Sequence, residues 1–94
     1  MKNSHAEFMT PMISNFRLVK DHPYLRALAD LSVAGIVVRG IKLEEGLHGT
    51  LYLGFPGRKL QGQWQLICDT ESDASRQYLL SLMTDRYLGS REAA

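Results

Sequence analysis

The sequence predicts an α+β fold: a twisted antiparallel β-sheet of about five strands with a C-terminal α-helix packed on it. Three observations carry that expectation. Apolar and polar residues alternate with a period of two through much of residues 12–69, as in strands with one buried face. The connections between these stretches are short and rich in turn-forming residues, which forces neighbouring strands to pair antiparallel. After Asp69 the period changes to near 3.6, and a single helix on one face of a sheet is the economical packing.

Residues 1–11 show no period and end in Pro11, so they read as a flexible arm in which His5 is solvated. Met12–Val19 forms the first strand, with Ile13, Phe16, Leu18 and Val19 apolar and the alternation imperfect. Lys20, Asp21, His22 and Pro23 make a turn, because proline cannot continue a ladder. Leu25–Val33 places Leu25, Ala27, Ala29, Leu31 and Val33 on one face, and its small alanines predict a bulky neighbour such as a helix. Ala34 and Gly35 turn the chain into Ile36–Leu43, a β-branched run that reads as a central strand. Gly40 within it signals a bulge or a close backbone contact, and Glu44-Glu45-Gly46 closes the strand.

Leu51, Leu53 and Phe55 then alternate with Thr50, Tyr52 and Gly54, and Trp64, Leu66 and Cys68 alternate with Gln63, Gln65 and Ile67. Between these two strands, Pro56-Gly57 and Gln61-Gly62 bracket Arg58-Lys59, which sets both cations on a loop tip. Thr70-Glu71-Ser72-Asp73 fits a capping box for the helix. Tyr78, Leu79, Leu82, Met83 and Tyr87 form its apolar stripe. Asp73 and Arg86 suit the two ends of its dipole, and Gly89 ends it. The organisation is an arm over 1–11, one domain over 12–89 and a frayed tail over 90–94.

With 94 residues the chain makes one small domain that buries roughly 60–65% of its unfolded surface, so dimerisation is a ready source of further burial. Eleven basic and ten acidic side chains leave a net charge of +1, so any grip on a polyanion must come from clustered charge or from a dimer. The single cysteine, Cys68, excludes an intramolecular disulfide and a multi-cysteine zinc site, and reads as a buried apolar residue. No apolar run approaches the ~20 residues of a membrane span, and the N-terminus lacks a signal-peptide core, so a cytoplasmic location is expected. Phosphate-cradling loops, metal-ligand spacings and nucleophile motifs are missing, and His22 and His48 fall in turns. The expectation is a protein that is not an enzyme, with no cofactor, no metal and no small-molecule substrate.

Binding features remain. Arg58 and Lys59 suit phosphate contacts or a solvated turn. Arg76 and Arg86, about 80° apart around the helix axis, suit either a shared backbone contact or an ordinary exposed helix surface. Arg39, flanked by apolar residues, suits a pairing inside a dimer interface, with Arg17 and Lys42 also on strands. Tyr52 and Trp64 are capable of stacking on bases, although core packing is the expectation for Trp64.

Val37-Val38-Arg39-Gly40-Ile41-Lys42-Leu43, Leu51-Tyr52-Leu53-Gly54-Phe55-Pro56-Gly57-Arg58-Lys59, Ser75-Arg76 and Tyr87 together resemble the stage V sporulation protein G family (SpoVG, also called septation proteins). The resemblance runs from about Met12 to Leu88, and its most specific part is Phe55-Pro56 followed by the two basic residues. It implies a bacterial, cytoplasmic homodimer formed through strands, acting as a DNA- or RNA-binding regulator of septation, sporulation or surface functions. It also implies nucleic-acid contacts at Arg58, Lys59 and Arg76. The chain departs from the family pattern at Gly57, where a serine is usual, and at Gln65, Asp69 and Thr70, where arginine, histidine and proline are usual. The expected function is therefore a dimeric nucleic-acid-binding regulator with Arg58, Lys59, Arg76 and Arg86 as its cationic contacts. Four to six phosphate contacts per dimer would give a log–log salt slope of roughly −4 to −5 on duplex DNA. The alternative is a protein–protein interaction module on the same fold.

Overall fold

Four strands, β1 (Met12–Leu18), β2 (Leu25–Val33), β3 (Ile36–Glu45) and β4 (Leu51–Gly54), form one antiparallel sheet in the order β1-β2-β3-β4. In this computed structural model, which describes residues 9–93, a second, two-stranded sheet of β5 (Gly57–Leu60) and β6 (Gln63–Leu66) follows. The chain ends in helix α1 (Asp73–Ala93). The architecture is the α+β sheet-and-helix arrangement that the periodicity predicts, with the difference that its last two strands leave the sheet as a separate ribbon. The arm expected over 1–11 falls mostly outside the described residues.

The imperfect alternation of β1 has a structural cause. Ser14 pairs with Asp30 and Arg17 with Leu28, so β1 carries one extra residue across that step. Asn15 takes up the bulge with a φ of 51°. The bulge resets the phase, and Ile13, Phe16 and Leu18 therefore all pack towards the core. A second bulge lies between the Ala29–Ile41 and Leu31–Val38 pairs, where Gly40 adopts a φ of 77°. That is the local distortion Gly40 signals in the sequence.

Helix α1 packs across one face of the sheet against β4, β1 and β3. Ala27, Ala29, Leu31, Ile41, Leu43, Leu53 and Phe55 form the buried core with Met83 and Tyr87 of the helix. The alanines are fully buried, as expected beneath a helix. The helix is capped by Ser72, whose Oγ accepts the Ser75 backbone N–H at 3.1 Å. The cap thus sits two residues later than the Thr70 box in the sequence. Gly89 does not end the helix, which continues to Ala93, so the tail expected to fray from Ser90 is helical as far as it is described. Arg91 lies over the Tyr87 ring at 5.4 Å in that last stretch. Among the described residues no helix packs on the opposite sheet face, where Met12, Ser32 and Val37 form one cross-strand row.

Candidate nucleic-acid interface

The ribbon β5–β6 is built by its turn. Gln61 and Gly62 have φ values of 52° and 80°, the left-handed pair that joins two strands through a two-residue connection matching their twist. Arg58 therefore pairs with Gln65 and Lys59 with Trp64, inside the ladder. The cations expected on the loop tip lie instead along strand β5. Alternation then assigns them to different faces: Gly57, Lys59, Trp64 and Leu66 share one, and Arg58, Leu60, Gln63 and Gln65 share the other.

Every residue from Arg58 to Ile67 is exposed, because the ribbon packs mainly strand on strand and leaves the body of the domain at Pro56. No acidic side chain occurs between Glu45 and Asp69. The side chains of Arg58 and Lys59 form no ion pair or hydrogen bond among the described residues, so both charges are free.

Trp64 departs from expectation. Its place in an alternating strand reads as core, yet 59% of its surface is exposed. Leu60, Leu66 and Ile67 are exposed with it, and Cys68 is only half-buried. The alternation is real, but among the described residues no second layer lies against it. The indole rests against Gly57: a β-carbon built there would come within 2.8 Å of its Cε2 and Cζ2 atoms and within 2.7 Å of the Gln65 carbonyl oxygen. Gly57, rather than serine, is what leaves room for the ring.

Arg76 is committed to the ribbon's root. Its guanidinium donates to the Leu53 carbonyl oxygen at 2.8 Å and to Asp69 Oδ1 at 2.9 Å, and lies 5.6 Å from the Phe55 ring centroid. Leu53 precedes the ribbon and Asp69 follows it, so one side chain ties together the segments that lead into and out of it. The helical spacing shows why. Arg76 is seven residues from buried Met83, about 20° short of two full turns, and so faces the sheet rather than solvent. Asp69, Glu71 and Asp73 surround the helix start with negative charge, which further disfavours a phosphate there.

Arg86 lies elsewhere. It stacks over the Phe16 ring of β1 at 5.6 Å and lines a groove of about 400 Å³ with Pro11, Met12, Ile13, Leu82 and Asp85. Helix α1 runs from β4 at Arg76 to β1 at Arg86, about 15 Å along its axis, so Arg86 and the ribbon sit at opposite edges of the sheet. Of the four cations expected at the interface, the fold sets Arg58 and Lys59 on opposite faces of one ribbon, assigns Arg76 to its support and places Arg86 elsewhere. Arg39, expected inside a dimer interface, pairs within its own chain with Asp30 at 3.1 Å.

The described residues contain no cluster of three or more potential metal-ligating side chains, and no helix among them is long and apolar enough to cross a membrane. Comparison with protein-family models, curated proteins and solved structures finds no match for this chain.

Proposed function

We propose that this protein is a small cytoplasmic nucleic-acid-binding regulator, of the kind the resemblance to the septation proteins implies, and that it acts as a homodimer. The observation that carries the reading is the ribbon β5–β6, a projecting acid-free element on which Arg58 and Lys59 are exposed and unpaired. A two-stranded ribbon is narrow enough to enter the major groove of B-form DNA, and extended enough to follow a single strand. Gln63 and Gln65 add side chains that donate and accept hydrogen bonds with base edges. The uncovered sheet face, with Met12, Leu28 and Val37, offers the second copy a surface and leaves the ribbon free.

Because Arg76 is held at the root, each copy contributes two phosphate contacts rather than three. Four per dimer give a log–log salt slope of about −3.6 on duplex DNA and about −2.8 on a single strand. Fluorescence anisotropy of labelled DNA and RNA across a salt series measures it. A flat salt response would remove the phosphate contacts from the account. A second reading, a module that docks a partner protein, draws on the exposed Leu60, Leu66 and Ile67 of the ribbon. It predicts no binding to any nucleic acid at low salt.

A further inference from the structure

The outward face of Trp64 has no role in contacts made by charge alone. A phosphate-gripping ribbon needs Arg58 and Lys59; it does not need an exposed indole. Large aromatic side chains are usually buried, and leaving one in water forgoes the stabilisation that burial brings. Here the ring is also placed. The benzo side of the indole is backed by Gly57, and cross-strand register sets Lys59 directly opposite.

We propose that the ribbon takes single-stranded nucleic acid, with one base stacked on Trp64 and the adjoining phosphate on Lys59. The inference rests on the nucleic-acid reading above and narrows it to a substrate class. In a duplex the faces of the bases are covered by their neighbours, so an aromatic platform has nothing to stack on without unstacking a step. A single strand presents those faces freely, and stacking on an aromatic side chain is tolerant of sequence. Lys59 supplies a point charge beside the platform, and no carboxylate on the ribbon opposes it. Gly57 is the positioning residue, because any side chain there displaces the ring.

Trp64 is the sole tryptophan, so its emission reports directly on stacking. The full chain is titrated with a short oligothymidylate, with the corresponding duplex, and with inorganic polyphosphate, which has phosphates but no bases. Anisotropy of the labelled nucleic acids and light scattering of the protein run in parallel. The expected result is strong quenching by the single strand, little by polyphosphate, and tighter binding of the single strand than of the duplex. Trp64→Ala is expected to weaken single-strand binding roughly 5- to 150-fold, the range for losing one stacked base, with Trp64→Phe restoring most of it. Gly57→Ala keeps the indole, displaces it together with the Gln65 carbonyl that the new β-carbon also meets, and reduces the quenching. Binding seen by anisotropy with no change in Trp64 emission would overturn the stacking role while leaving a charge-driven interface standing. Emission that shifts with protein concentration in step with self-association would place Trp64 against a second copy, and would also overturn it. If no nucleic acid binds at all, the nucleic-acid reading falls together with this inference.

Discussion

Asp30 sits at the centre of the sheet, only 5% exposed, and holds two distortions together. Its Oδ1 accepts the Gly40 backbone N–H at 3.2 Å, and its Oδ2 accepts from the Asn15 side-chain amide at 3.3 Å and the Arg39 guanidinium at 3.1 Å. One carboxylate thus braces the bulge of β1 and the bulge of β3 from the strand between them. The Gly40 N–H, followed by the Asn15 amide and the charges of Arg39 and Arg17, lowers its pKa from the usual carboxylate value against the opposing effect of desolvation. Since the folded pKa lies below the unfolded one, the stabilisation is fully present above the unfolded value and is lost as pH falls through the folded value. The Tm of the wild type is therefore expected to drop below about pH 5, and Asp30→Asn to lower the Tm at neutral pH and flatten that acid limb. A variant with an unchanged acid limb would remove Asp30 from this role. Arg76 is tested by its partner. As a clamp, Arg76→Ala costs about 1–2 kcal/mol, and Asp69→Asn reproduces part of the loss and weakens nucleic-acid binding by loosening the ribbon. As a phosphate contact, Arg76 would instead be freed by Asp69→Asn, and binding would tighten. The two roles thus give opposite signs for Asp69→Asn in anisotropy, while thermal unfolding of both variants measures the clamp.

Among the elements, what the sequence shows well is what depends on local pattern alone. The alanine face of β2, the central β3 and the helical stripe after Asp69 are all legible because each reports its own period. Trp64, Leu66 and Cys68 alternate just as cleanly, yet alternation says only which side chains share a face, never whether a second layer covers it. The placement of Arg58 and Lys59 was decidable in principle, since Gln61-Gly62 by itself closes a two-residue hairpin and leaves the cations in the strand. Arg76 was decidable too, from its two-turn spacing to Met83. The bridging by Asp30 was not, because it depends on two bulges meeting across three strands. The ribbon contributes no residue to the buried core, so replacing Gly57–Leu66 with a short flexible loop is expected to leave the four-stranded sheet and helix folded while abolishing binding. Circular dichroism with anisotropy checks both halves of that statement. Met83→Ala is the contrasting change. It removes a fully buried side chain between helix and sheet, costs about 2–5 kcal/mol, and lowers stability in a denaturant titration regardless of ligand.

For the whole molecule, a net charge of +1 says little, because acidic side chains are unevenly placed along the chain. Acidic residues gather at the helix start, whereas residues 46–68 carry none. On the proposed reading a polyanion is drawn to one element rather than to the chain at large, and a dimer would double that element's reach. The central claim is that the ribbon is where nucleic acid binds. The most direct test is anisotropy at low salt of the wild type beside Arg58→Glu/Lys59→Glu, once light scattering and circular dichroism show that both have the same fold and oligomeric state. Binding by the wild type that the charge reversal abolishes is the expected result. Equal binding by the two proteins would contradict it, and would move the interface off the ribbon.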